Sequence, residues 1–381
     1  MCEVKRTMFD ILNFLISWLT LFGIYAILAL CLNMEIGYAG MANFGLVAFF
    51  GIGAFVTAYT SMSIFLSFYG YNYPIYSLDA IIAIGKIAGK TPWLNFAVFL
   101  LSLILSFIIA GISGYLISYP TLRVGPAFLG ITILSFGEML RVFMKHFKPT
   151  GGASGILGIP HPFTWVPNPL IKNISFMTLT LVILAGVFVY FELLANSPYG
   201  RILKSIREDE IASLCLGKPV PKIKAELLFV ASGLSGVAGA LFAFYTGSVT
   251  PDMFITAVTF EVWSMVIVGG RGNNFGTILG TMIFTLLNRA TAALNFIFPE
   301  LLFDPNCIRW MITGALIVII LIYKPKGILP EKPIKTEAWK IFRREEKKKI
   351  RVIKATLINS TLKMIKYLKI ALNWLIGRET G

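Results

Sequence analysis

Four places in this sequence hold residues whose types and spacing could do chemistry. The first is Asn196 to Lys224, NSPYGRILKSIREDEIASLCLGKPVPKIK, a polar stretch with six basic side chains: Arg201, Lys204, Arg207, Lys218, Lys222 and Lys224. Ser197 suits a helix cap and Pro198 its first turn, while Gly217, Pro219 and Pro221 would stop the helix and turn the chain back. Ile202, Ile206 and Ile211 recur at roughly helical spacing, so one short helix bounded at both ends is predicted. A solvated connector is the simpler reading. A helix this well bounded is more structure than a connector needs, and its work would be mechanical: a rigid element for another protein to push. The second place is GKIAGKT, which resembles a phosphate-binding loop. The required pattern is G-x4-G-K-[ST], but Ile84 stands where the first glycine should be and no strand–helix unit surrounds it, so a nucleotide site is rejected. The third is Glu138 with Arg141, three residues apart and therefore on one helix face. The fourth is the metal-ligand inventory. Cys2, Cys31, Cys215 and Cys307 are scattered without pairing or metal spacing, and His146 and His161 are the only histidines, so neither disulfides nor a metal centre is suggested.

The elements that must position these residues are set by composition. Of 381 residues 56% are apolar and 14% charged, with a mean hydropathy of +0.77, which is more apolar surface than a soluble core of this length could bury. Several continuous apolar runs reach the roughly 20 residues that cross a bilayer. The fold class is therefore all-α, a polytopic transmembrane helical bundle; a membrane β-barrel is excluded because the runs do not alternate. No cleavable signal is evident at the start. Nine apolar segments are expected, at about 11–32, 36–59, 93–118, 126–145, 174–194, 226–247, 256–270, 273–290 and 307–323. One of them, 36–59, could be half a crossing, so the count stands at eight to ten.

Within 36–59, Gly37, Gly40, Asn43 and Gly45 are candidates for a helix break lining a path, with close helix packing as the simpler alternative. Residues 61–92 read as an external loop. Glu138 and Arg141 read as a structural ion pair near the outer interface or as part of a path. Pro149 to Pro160, PTGGASGILGIP, predicts a tight, shaped loop in which Gly151 and Gly152 are further candidates. The external loop runs on to about residue 174 and holds the sequon Asn173-Ile174-Ser175. Ser232 to Ala240 carries a stripe of small residues for helix packing.

Net charge is +15, and from Lys324 to the end 16 Lys/Arg against 5 Asp/Glu supply +11 of it. That is the signature of a cytoplasmic tail rather than of nucleic-acid binding. The tail at 350–376 has apolar residues near helical spacing interleaved with lysines, which fits an amphipathic helix on membrane lipid. Two domains result: 1–330 in the membrane, including the loop 196–224, and a basic tail, 331–381. With the tail inside, nine crossings put the 196–224 loop inside too and the N-terminus outside.

Several motifs resemble one family. Gly200, Arg201, Ile206, Arg207, Glu208, Glu210, Ile211, Ala212 and Gly217 resemble the coupling loop of ABC importer permeases, with Ser213 at the second alanine of its Glu-Ala-Ala…Gly signature. LNMEIGYAGMANFGLVAFFGIGAF, GPAFLGITILSFGEMLR with PTGGASGILGIP, FEVWSMVIVGGRGNNFGTILG and YKPKGILP resemble, in this order, the LivM-type permease subunit of branched-chain amino acid importers. The likeness covers about residues 20–330. Leu46-Val47 replaces a Gly-His pair that the family often carries. The resemblance implies a transport subunit of the cell (plasma) membrane that is not itself an enzyme and imports leucine, isoleucine and valine. It would work with a second permease subunit, two ABC ATPase subunits and an extracytoplasmic substrate-binding protein. Gly200, Arg201, Arg207, Glu208, Glu210, Ala212 and Gly217 would couple to an ATPase. ATP and Mg would be bound on the partner subunits, and no cofactor, metal or nucleic acid by this chain.

Other readings are the same machine with urea, amides or a sugar as cargo; a secondary transporter driven by an ion gradient; and a structural scaffold. Ion coupling would need acidic residues deep in the spans, and Glu35, Glu138, Glu192 and Glu261 stand mostly at their predicted ends. A scaffold has no use for the coupling loop.

Overall fold

The computed structural model describes residues 2–121, 126–297, 311, 314–315, 317–320 and 322–331. The basic tail beyond Glu331 and about half of the expected segment 307–323 lie outside them. Six stretches are long and apolar enough to cross a bilayer: Leu12–Tyr38, Leu46–Phe68, Pro92–Thr121, Pro169–Asn196, Val220–Thr246 and Pro251–Gly269. They correspond to helices α1 (Cys2–Leu32), α2 (Leu46–Phe68), α4 (Pro92–Thr121), α6 (Pro169–Asn196), α9 (Val220–Thr246) and α10 (Thr256–Gly269). Two further long helices, α5 (Pro126–His146) and α11 (Asn274–Ile297), run among them. The protein is a polytopic helical membrane protein.

The expected small-residue stripe is the centre of the bundle. Gly236 and Gly239 on α9 bring its backbone against α2, where the Gly236 carbonyl meets Gly53 and the Phe50 carbonyl meets Gly239; Ser232 abuts Gly114 on α4. Ser106 of α4 donates to the Gly53 carbonyl at 3.0 Å and pairs with Thr57 at 2.8 Å. Interhelical hydrogen bonds in lipid contribute roughly 0.6 kcal/mol each. Close backbone packing, made possible by the missing side chains, therefore carries most of this association.

The break expected in 36–59 is present. α1 runs on without interruption into a π-helical turn, Asn33–Tyr38. The chain is then non-helical through Gly45, and α2 starts at Leu46.

Three local readings are corrected. The loop at 61–92 is not free of structure: α2 extends to Phe68, and α3 (Leu78–Ala88) follows, capped by Ser77 and burying Ala80, Ile84 and Ala88. α6 begins at Pro169 rather than near 174, because Asn168 caps it by accepting from the Leu170 amide at 3.0 Å and Pro169 fits its first turn. The sequon at Asn173 accordingly sits in a helix. The 149–160 segment is the shaped loop predicted, with two 3-10 turns, Lys148–Thr150 and Gly152–Ser154, and a short strand β1 (Ile156–Leu157). β1 pairs antiparallel with β2 (Ser248–Val249) just past α9.

Candidate functional site

The polar segment after α6 folds into two short helices, α7 (Pro198–Glu208) and α8 (Glu210–Cys215), not one. Asp209 breaks them with an extended backbone, φ −153° and ψ 110°, and its carboxylate caps α8 by accepting from the Ala212 amide at 3.0 Å. Ser197 caps α7 as expected. Leu203 and Ile206 are buried against the bundle. Ile211 is not part of that face: it is 74% exposed, and Leu214 and Leu216 beside it are 47% and 76% exposed. Arg201, Glu208, Ala212 and Gly217 are also exposed, while Gly200 is buried and Arg207 and Glu210 reach inward.

Arg207 is the hub of this end. Its guanidinium donates to the Gly37 carbonyl in the π turn and pairs with Glu331 at 2.9 Å and with Glu208 at 2.8 Å. Partial burial works against its charge, but Glu208 and Glu331 outweigh that and hold its pKa above the ordinary value. Lys204 also pairs with Glu331, at 2.7 Å, and lies 5.2 Å from the Tyr38 ring centroid. Glu331 is held in turn by its backbone neighbours: the Ile328 and Leu329 amides donate to Val268 and Gly269 at the end of α10 at 2.9 and 3.0 Å. Asn33 accepts from the Gly272 amide and donates to Asn274, both at 2.9 Å, and Asn274 donates to Glu192 at 3.0 Å. Glu210 is tied to Lys224 at the base of α9 at 2.6 Å. The α7–α8 segment, the π turn, the α10–α11 hairpin and residues 328–331 thus meet in one polar knot.

Two glycines make the knot possible. A Cβ on Gly37 would stand 2.5 Å from the Gly272 nitrogen, and Gly40, at φ +70°, has the Arg207 Cγ 3.0 Å from where its Cβ would be. The next two candidates lie deeper in the break. Asn43 donates to Glu35 at 3.0 Å and accepts from the Gly45 amide at 2.9 Å, and its carbonyl accepts from the Trp263 indole of α10 at 2.9 Å. Gly45 faces the Ile133 carbonyl of α5.

Glu138, Gly151 and Gly152 belong to a separate cluster toward the other end of the bundle. Glu138 accepts from Arg141 Nε at 2.9 Å and from the Thr256 hydroxyl at the start of α10. Arg141 continues to Asp252 at 3.2 Å, and Asp252 to Lys145 at 2.5 Å. Gly152 lies next to the Lys145 carbonyl, and Gly151 against Gly155 and Tyr76. Below Thr256 on the same face of α10 come Phe260 and Trp263, with Phe44 from the break stacked on Trp263 at 4.8 Å and 6.0 Å from Phe260. Among the described residues no group of three or more His, Cys, Asp or Glu stands close enough to hold a metal ion.

Sequence reasoning missed Asn33, Lys204, Asp209, Glu192, Asn274 and Glu331. Asp209 carried a signal, a capping side chain three residues ahead of Ala212, that its acidic neighbours hid. The others are paired across 82 to 241 residues of chain, and nothing local marks such partners.

Residues 14–321 match the family described as branched-chain amino acid transport system / permease component. The chain is 29% identical over 338 residues to a "probable branched-chain amino acid transport permease protein LivM" of Methanocaldococcus jannaschii, covering 87% of this chain and 96% of that one. It is 28% identical to the "high-affinity branched-chain amino acid transport system permease protein LivM" of Escherichia coli, over 82% of this chain and 69% of that one. A weaker likeness, 26% over 44% of this chain and 46% of the other, is to a ribose import permease of Haemophilus influenzae. No solved structure matches.

Proposed function

The chain belongs to the permease component family of branched-chain amino acid transport systems, and from that we propose that it is one of two membrane subunits of an ATP-driven importer for leucine, isoleucine and valine. A second, related permease completes the passage. Two ATPase subunits bind ATP and Mg on the cytoplasmic face, and an extracytoplasmic binding protein delivers the cargo. The coupling segment and the basic tail are cytoplasmic, and the chain lies in the cell membrane. The residues of this chain carry no bond chemistry; they change which side the passage opens to as the motor shifts the population between states.

The observation that carries this reading is the two-sided build of α7 and α8. One side is locked to the bundle through Arg207, Lys204 and Lys224. The other presents Ile211, Leu214 and Leu216, three large apolar side chains exposed on an otherwise polar element outside the spans. Apolar surface of this kind is what a groove on a partner protein covers. A connector would need neither half.

Proteoliposomes holding this chain, its sister permease, both ATPases and the binding protein test the proposal. ATP-dependent leucine uptake is expected, blocked by excess isoleucine and not by urea or ribose. Replacing Glu210 with Lys, or Gly217 (φ +74°) with a bulky residue, is expected to abolish uptake while leaving membrane insertion intact. Uptake blocked by ribose or urea instead would keep the machine and replace the cargo. Uptake driven by an ion gradient without ATP would overturn the importer.

A further inference from the structure

The cluster around Glu138 is in an unusual place for charge. Glu138 sits about 12 Å of helix from the α5 terminus at His146, at 1.5 Å per residue. Gly137 next to it faces Ala48 in the first turn of α2, and the carboxylate bonds Thr256 at the start of α10, so the charge sits among three packed helices rather than at the free end of α5. Yet the side chains of Glu138 and Arg141 are 36% and 23% exposed. Ionised groups exposed to hydrocarbon are costly, so in a membrane protein they face protein or a water-filled passage. The charges also alternate: Lys145, Asp252, Arg141 and Glu138 descend from the α5 end as plus, minus, plus, minus. Such a ladder has no net charge to trap an ion, but each step can exchange its partner for one end of a dipolar molecule.

What lies deeper is the opposite in character. Phe260, one turn or about 6 Å along α10 from Thr256, is 48% exposed and forms an aromatic wall with Phe44 and Trp263. A carboxylate and a guanidinium 2.8 Å apart with an apolar surface one helical turn beyond match a molecule that has an ammonium, a carboxylate and an apolar side chain.

We propose that the α5–α10 face of this chain is a cargo station in which Glu138 takes the α-ammonium and Arg141 the α-carboxylate of an apolar amino acid, while Phe260, Phe44 and Trp263 receive its side chain. This rests on the importer reading above and adds the place and the chemistry of recognition within the membrane. Binding there exchanges one charge-assisted pair for two, so the cargo crosses without leaving either of its charges unpaired.

The test uses the complete importer in proteoliposomes, measuring leucine uptake and binding-protein-stimulated ATP hydrolysis in parallel. Wild type must first show ATP-dependent uptake; without it the importer reading fails and takes the station with it. Glu138→Gln and Arg141→Gln are each expected to lower leucine carried per ATP hydrolysed at least tenfold, with stimulated hydrolysis within twofold of wild type. Co-elution of the four membrane and motor subunits checks assembly. The charge-swapped double variant Glu138→Arg with Arg141→Glu keeps an ion pair but reverses the order of the charges, and is expected to stay impaired. Phe260→Ala is expected to lower uptake of leucine more than that of alanine. Wild-type uptake in the single variants, or recovery in the charge swap, would make the pair merely structural and overturn the station while leaving the importer intact.

Discussion

Glu331 holds two cations at once, and replacing it with glutamine measures how firmly residues 328–331 are fastened to α7. The contacts are 2.7 Å to Lys204 and 2.9 Å to Arg207, among side chains 26%, 13% and 23% exposed. At an effective dielectric of about 20 a unit pair 4 Å apart interacts by about 4 kcal/mol, most of which is offset by desolvation. Exposed pairs contribute about 0–1 kcal/mol, whereas removing one partner of a buried pair costs about 3–5 kcal/mol. This site lies between those limits and has two pairs, so Glu331→Gln is expected to cost about 2 kcal/mol, near a 30-fold change in a local opening equilibrium. The amides of Ile328 and Leu329, bonded to the end of α10, are the reporters. Hydrogen exchange in the detergent-solubilised importer should accelerate there about 30-fold, with core amides of α9 unchanged. Acceleration below about threefold would mean that the pairs contribute under about 0.7 kcal/mol, and the knot would then be held by its backbone bonds alone.

Two further perturbations separate charge from packing. Lys224 is nearly buried, 6% exposed, while its partner Glu210 is 33% exposed; Glu210→Gln is therefore expected to cost about 2 kcal/mol of α8 protection, Lys224→Met under about 1, and the double variant less than the sum. Strict additivity in the exchange of α8 amides would refute the pairing. His161, packed 4.9 Å from the Phe176 ring with Nδ1 accepting from the Phe163 amide, is pushed down to about pKa 3 by burial and then by Lys172. The unfolded chain takes up a proton near pH 6.5 that the folded loop refuses, so stability is complete above that pH and falls as pH drops from about 6.5 toward 3, by up to about 1.4 kcal/mol per unit. His161→Gln should flatten the melting temperature between pH 6.5 and 4.5, and an unchanged slope would refute the assignment.

What could be read from the sequence divides by the range of the signal. Apolar runs, the glycine break after Tyr38, the stripe from Ser232 and the cap at Ser197 are local patterns, and each stands where expected because a span, a break or a cap is decided by a few neighbouring residues. Glu138 and Arg141 were legible as a pair because helix geometry puts residues three apart on one face. Thr256 and Asp252, which turn that pair into a ladder, come from the start of α10 and the turn before it and leave no local trace. The same holds for Glu331, which reads as the first acid of a basic tail and becomes the anchor of Arg207 only after the chain has folded back. α3 was hidden for a different reason: eleven residues with Gly85 inside and Gly89 just after them look like loop punctuation, and only packing of Ala80, Ile84 and Ala88 makes them a helix.

The two clusters are not independent, and the broken helix is the reason. An unbroken helix from α1 into α2 would separate the coupling end from the interior by rigid, saturated backbone. Here Arg207 grips the Gly37 carbonyl, and one residue later, after Tyr38, the chain leaves the π turn. Six residues on, Asn43 binds back to Glu35 within that turn and, through its carbonyl, forward to Trp263. Trp263 is the ring on which Phe44 stacks beside Phe260. Every contact from α7 to the aromatic wall is therefore a hydrogen bond or a ring face, and the backbone that links them from Ala39 to Gly45 is non-helical, the kind that can hold two discrete arrangements without breaking a helix. The glycines of the segment remove the side chains that would block such a rearrangement, and Gly40, already at positive φ against Arg207, is where the backbone can turn at least cost. On the proposed function, a motor pushing on α7 and α8 would meet, one contact later, the part of the membrane domain least committed to a single shape.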